Sequence, residues 1–340
     1  MAIERIAIMG AGSLGTILGA YISRAGRDVT LIDAYREHVD ALNKNGARVI
    51  GKALFTAPVK AITPDELTGT FDLFFYMVKQ LSNDIAIPQM IKHCHDKTII
   101  CCCQNGLPEM AVAKHWPQDK VFGAPVGWGA TYISPGVSEL TTVESATSVH
   151  LGSLDGTLPP SIFEVQKVLE CMCTTILTEN LISDRWTKLT VNSMFSGMST
   201  VIGGTFGDVI YDDTGIRCCA VIGSECYRVA KAAGVTLGTI MGADYNACCS
   251  FTDAEGMKAC QEILREKNYV HKDLVASMLQ DIRKGKKCEI RYINGVVSEI
   301  GDEYGIRTPA NDLLVQIVTD IENGKRIPCM ENMKDFLPII

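Results

Sequence analysis

Residues 5–33, RIAIMGAGSLGTILGAYISRAGRDVTLID, decide the fold. A short apolar run from Arg5 to Met9 leads into a turn with Gly10, Gly12 and Gly15 in GxGxxG spacing. An amphipathic stretch then ends near Gly26, and a second apolar run closes on Asp33. Strand, glycine turn, helix and strand in that order, with an acid about twenty residues on, is the arrangement that holds a dinucleotide. Gly10 permits the tight turn, Gly12 lets the backbone approach a pyrophosphate at the helix N-terminus, and Gly15 lets helix and strand pack closely. Ala11, Ser13 and Leu14 belong to the same expected cofactor site.

This is the signature of a Rossmann domain. Asp33 sets the cofactor expectation, because a carboxylate there accepts hydrogen bonds from a ribose 2′-hydroxyl and repels a 2′-phosphate. NAD(H) is therefore favoured over NADP(H), with Arg36 close enough in sequence to complicate the preference. Two later strand ends carry polar residues where ligands of open α/β sheets gather: Lys79 in YMVKQ, and Gln104 and Asn105 in CCCQNGL. On position alone, a solvated lysine and a turn-forming Asn-Gly pair are equally good readings.

The 340 residues exceed the usual size of one core, so two domains are expected. Apolar strands are expected at 71–79, 97–106, 120–126, 148–154 and 174–179, alternating with helices such as 84–93 and 160–172. That is the rhythm of a mostly parallel sheet. Beyond it, amphipathic segments at 183–200, 214–234, 253–265, 269–284, 290–304 and 308–322 predict a helical domain with turns at Gly203-Gly204, Gly234, Gly285 and Gly305. The predicted fold class is α/β, with a Rossmann dinucleotide-binding domain at 1–180 followed by an all-helical substrate and dimerisation domain at 181–340.

Acidic residues outnumber basic ones by 39 to 32 and the basic ones are scattered, so nucleic acid is not an expected partner. No apolar run is long enough to cross a bilayer, and the N-terminus lacks a secretory leader, so no membrane partner and a cytoplasmic location are expected. Fourteen cysteines occur without a CxxC pair and are expected to be mostly small, buried and reduced. HCH at 93–95 reads as a solvated loop ahead of a strand, and no metal site is expected. Apolar helix faces around Val221 to Ala233 and Leu313 to Ile321 suit either a homodimer or internal packing.

The stretch RWTKLTVNSMFSGMST, 185–200, is apolar at helical spacing, yet Lys188, Asn192 and Ser196 fall four apart and share a face. Together with SMLQDIRKGKKCEIRYING, 277–295, and with GAGSLG, VKQ and QNG in the same order, it resembles the ketopantoate reductase (2-dehydropantoate 2-reductase) family over most of the chain. The resemblance implies NAD(P)H-dependent reduction of a 2-oxo acid, a small-molecule substrate, to a D-2-hydroxy acid. It makes Lys188 the general acid and puts Glu289 beside substrate and cofactor, with Asn105 bridging both. Asn192 and Ser277 then contact the substrate, Ser196 faces it, and Lys79 joins the cofactor site. The chemistry is coherent, because a lysine can stabilise the negative charge that grows on a ketone oxygen and then protonate it.

Two positions depart from the family pattern. Ser196 and Phe206 stand where better-known members carry asparagines, and a shorter polar arm with an aromatic ring suits a less hydroxyl-rich substrate. Ketopantoate is the first expectation. NAD-dependent D-2-hydroxyacid dehydrogenation of bulky or aromatic substrates is the alternative, and a non-catalytic nucleotide sensor is the remote one.

Overall fold

The computed structural model describes residues 3–340, which divide into two compact units, one ending at Leu181 and the other Ile182–Ile340. Twelve strands fall in the first: β1 (Arg5–Met9), β2 (Asp28–Ile32), β3 (Ala47–Gly51), β4 (Phe55–Ala57), β5 (Lys60–Ile62), β6 (Phe71–Tyr76), β7 (Cys94–Cys102), β8 (Val121–Gly123), β9 (Ala130–Ser134), β10 (Val137–Leu140), β11 (Ser148–Ser153) and β12 (Thr174–Leu177). Eight form one sheet in the order β12-β11-β8-β7-β6-β1-β2-β5, parallel throughout except where β11 runs against β8.

Period-two alternation explains how this sheet is covered. Ile6, Ile8, Leu73 and Phe75 face one side, where the helix Ser13–Arg24 packs Ile17, Leu18 and Ile22 onto them. Ala7, Met9, Phe74 and Tyr76 face the other, against Ala86, Ile87 and Met90 of the helix Asn83–Ile91. Helices on both faces of a mostly parallel sheet make this a Rossmann-like unit.

Two features differ from expectation. β7 starts at Cys94, so Cys94 and His95 open the strand, half-buried, with only His93 in the turn before it; His95 Nε2 lies 3.1 Å from Asp72 Oδ1. A second sheet, β4-β3-β10-β9, lies on the helix Ser13–Arg24, with Val49 and Leu140 sharing the core of Ile17. Its strands are short and mix polar with apolar residues, so they carry little periodic signal.

The second unit is helical. Its central helix, Asp213–Ala232, buries Ile216, Cys219, Ile222, Cys226 and Val229, and Pro309–Glu322 buries Leu314, Ile317, Val318 and Ile321. The apolar faces considered for a dimer are thus used inside the unit. The expected helix 183–200 is Leu181–Val191, a wide π turn at Asn192–Ser196, and Gly197–Ile202. A second π turn, Arg291–Gly295, precedes Val296–Tyr304. The expected helix 269–284 is a 3₁₀ turn at Tyr269–His271 and a short helix at Ser277–Arg283. Among the described residues, no helix is long and apolar enough to cross a membrane.

A buried polar chain joins these parts. Glu225, 1% exposed, accepts N–H bonds from Ala310 (2.9 Å) and Asn311 (3.0 Å) at the start of Pro309–Glu322, and a third from Asn311 Nδ2 (2.8 Å). Asn311 Oδ1 accepts from Asn294 Nδ2 (2.9 Å), which also donates to Ser193 O (3.1 Å). Glu225 thereby caps a helix whose own Thr308 makes no side-chain cap. In Glu225→Gln an amide NH₂ must face an N–H, so the helical unit should lose about 2–3 kcal/mol of stability. Its melting transition should fall by about 5 °C or more in calorimetry, and an unchanged transition would show the cap to be dispensable.

Candidate functional site

The glycine turn is built by close approaches. Gly10 has φ +104°, and its N–H and that of Ala11 both donate to Ile32 O at 2.9 Å, which folds the turn over the C-terminal ends of β1 and β2. A Cβ on Gly10 would lie 2.6 Å from Val78 N, and one on Gly15 would lie 2.2 Å from Gly10 O. Gly12 is different: it is exposed, and a Cβ there would have nothing within 4 Å.

No side chain caps the helix that Gly12 opens, and Ser13 and Leu14 begin it half-buried. Uncapped first-turn N–H groups beside open space fit the pyrophosphate of a dinucleotide. Buried Ala11 turns its carbonyl inward to accept from Thr16 Oγ1 (2.7 Å) and His38 Nε2 (2.8 Å), while His38 Nδ1 accepts from Gly136 N (3.0 Å). His38, 1% exposed, thus ties the turn to the β9–β10 connection. Sequence reading missed it, although its place beside Val39 and Leu42 on a buried helix face was a usable signal.

Asp33 stands just past β2, half-buried, and its Oδ1 accepts from Tyr35 N (2.9 Å). Arg36 is held by Glu66 and by Thr63 Oγ1, both at 2.9 Å. At the ends of β6 and β7 two glutamines stitch the connections together: Gln104 Nε2 donates to Val78 O (2.8 Å) and Gln80 Nε2 to Asn105 O (2.6 Å). Lys79 is exposed at the start of this corner, and Asn105 is half-buried within it. Of the two glutamines, only Gln104 had drawn notice in the sequence.

In the helical unit Lys188 is half-buried near the end of Leu181–Val191, and the π turn that follows carries Asn192, half-buried, and Ser196, 8% exposed. Glu289, 7% exposed, comes two residues before the second π turn and accepts Tyr292 N through its carbonyl at 2.9 Å. The two π turns pack together, and the short helix that opens with exposed Ser277 packs on the first. The structure therefore brings the segments carrying Asn192, Ser196, Ser277 and Glu289 into one neighbourhood of this unit. Arg185, one turn before Lys188, is 1% exposed. Phe206 is also buried, its ring stacked on Phe195 at 5.5 Å and 28°.

Residues 6–156 match the family model described as ketopantoate reductase PanE/ApbA, and residues 180–322 match its C-terminal model. The chain belongs to the ketopantoate reductase family. It is an NAD(P)-dependent oxidoreductase acting on CH–OH groups. It is 27% identical over 328 residues to the 2-dehydropantoate 2-reductase of Archaeoglobus fulgidus, covering 95% of this chain and all of that one. To the enzyme of the same name from Streptococcus pyogenes it is 25% identical over 317 residues, 92% of this chain and 95% of the other. Among solved structures, D-mandelate dehydrogenase with NADH and anilino(oxo)acetate superposes with a TM-score of 0.81 at 23% identity, over 94% of this chain and 99% of that one. At that identity the superposition shows the shared fold.

The glycine geometry separates binding from folding within this ketopantoate reductase family member. Gly12→Ala has room for its methyl group and should melt within about 2 °C of the parent, yet weaken NADH and NADPH binding about tenfold or more by occupying phosphate space. Gly15→Ala should instead lower the melting temperature, since its methyl group meets Gly10 O. Equal nucleotide affinity for Gly12→Ala and the parent, by fluorescence titration, would remove the turn from the cofactor site.

Proposed function

We propose that this chain reduces a 2-oxo acid to a D-2-hydroxy acid with Lys188 as general acid, ketopantoate being the substrate read first. The observation that carries the reading is the half-buried Lys188, one turn ahead of a π turn presenting Asn192 and Ser196, in a family of NAD(P)-dependent reductases. Residues 1–180 hold the dinucleotide through Gly10, Ala11, Gly12, Ser13, Leu14, Gly15, Asp33, Lys79 and Asn105, and residues 181–340 supply the groups that meet the substrate.

The nicotinamide, when bound, supplies the hydride. As the ketone carbon accepts it, negative charge grows on the oxygen, and the Lys188 ammonium stabilises that charge and transfers its proton to the oxygen. Asn192, Ser196 and Ser277 orient the substrate by hydrogen bonds, which holds the carbonyl in line for transfer. Glu289, a buried carboxylate, orients the lysine or a substrate hydroxyl.

Asp33 and the engagement of Arg36 by Glu66 and Thr63 support NAD(H) over NADP(H), because the cation that would meet a 2′-phosphate is already committed. A second substrate reading, bulky or aromatic 2-oxo acids, is supported by Phe206, an aromatic ring stacked on Phe195 beside Ser196 where a polar arm would suit a hydroxylated substrate.

Lys188→Ala should lower kcat by about 10²–10⁴ while NADH affinity stays within twofold or so, as read from steady-state kinetics and a binding titration. Turnover that survives the substitution would sink the mechanism. A side-by-side series with NADH and NADPH on ketopantoate and on aryl and branched 2-oxo acids tests the substrate. In that series Asp33→Ala should shift the ratio of kcat/KM toward NADPH, and an unmoved ratio would rule out Asp33 as the determinant.

A further inference from the structure

Three cysteines of the helical unit converge. Cys248 and Cys249 end the helix Tyr245–Cys249, Cys260 lies in Ala254–Asn268, and their Sγ atoms are all within 4.8 Å of one another. Cys248 Sγ is 3.2 Å from Cys260 Sγ, and the three residues are 6%, 0% and 1% exposed in chain order. Among the described residues, no other group of three or more His, Cys, Asp or Glu side chains has its donor atoms so close.

We propose that Cys248, Cys249 and Cys260 form a buried site for one soft monovalent cation of the Cu(I) class. The donor set is sulfur alone, which excludes the hard cations that need oxygen ligands. Zinc in a structural site takes four ligands, and neither a histidine nor a carboxylate joins this group. Three sulfurs around a centre bonded at about 2.3 Å stand about 4 Å apart, and here one pair stands at 3.2 Å with all three within 4.8 Å, so closure on an ion needs only small shifts. A further soft donor is near, since a Cβ placed on Gly223 would lie 3.0 Å from Cys249 Sγ and 2.6 Å from Met194 Sδ. Met194 belongs to the π turn Asn192–Ser196.

The test uses the full chain, purified anaerobically in reductant, loaded with Cu(I) and challenged with a chromogenic Cu(I) chelator. One copper per chain should resist the chelator, and its extended X-ray absorption fine structure should show three sulfur ligands at about 2.3 Å. Cys248→Ser and Cys260→Ser should each weaken retention about tenfold or more, whereas Cys94→Ser, at a half-buried cysteine outside the cluster, should retain copper like the parent. Complete stripping of the parent, nitrogen or oxygen ligation, or equal losses in Cys94→Ser and Cys260→Ser would each overturn the proposal. So would a Cys248–Cys260 disulfide that reductant and Cu(I) together leave in place. Should the serine variants fail to fold, the absorption spectrum of the parent decides alone.

Discussion

One carboxylate, that of Glu225, holds the helical unit in register. It is buried on the central helix, and burial pushes its carboxyl up while three N–H donors from Ala310 and Asn311 pull the other way. Such a group persists only where its partners are fixed, because an uncompensated charge or an orphaned helix N-terminus would cost several kcal/mol. The consequence travels along the chain of amides. Asn311 passes the constraint to Asn294 in one π turn, and Asn294 passes it to Ser193 O in the other. A π turn interrupts the regular helical ladder and leaves backbone groups looking for partners. Here Ser193 O of the first π turn accepts from Asn294 of the second, so the two irregular turns support each other. Gly197 lets them close: a Cβ there would lie 2.7 Å from Leu314 Cδ1 and 3.2 Å from Asn294 Oδ1.

The same economy operates in the nucleotide-binding unit, with a histidine in place of the carboxylate. The glycine turn spends two N–H groups on Ile32 O and turns Ala11 O inward, where Thr16 and His38 satisfy it. With its inner side saturated, the turn leaves its outer side, around Gly12, without side-chain partners. Backbone fixed on one side and open on the other is what a phosphate site requires, since the amides are already aimed when the anion arrives.

Legibility in the sequence followed the range of the interactions involved. The glycine turn and Asp33 lie within about thirty residues of one another, and each parallel strand carries its own apolar run, so their spacing was readable. The strands β3 and β4, and β9 and β10, pair locally, but they become one sheet only where β10 pairs with β3, Val137 beside Arg48, and they alternate too weakly to be seen. The π turns escaped for a different reason. One extra residue in a turn leaves composition untouched, so the apolar stripe of 185–200 still looks like an unbroken helix. Lys188, Asn192 and Ser196 were found by type and resemblance; Glu225, Asn294 and Asn311 were not, because each makes sense only beside the other two.

The cysteines show how secondary structure decides whether neighbouring thiols can act together. In β7 the strand's alternation sends Cys101 into one layer of the core and Cys102 into the other, so adjacent residues are separated by the sheet itself. At the end of Tyr245–Cys249 no sheet intervenes. Cys248 and Cys249 follow a short helical turn and meet Cys260 from a helix packed against it. In sequence the two groups look alike, as runs without the spacing of a known ligand motif. Among the described residues only the second brings three sulfurs together, and that difference is set by the backbone rather than by the number of cysteines.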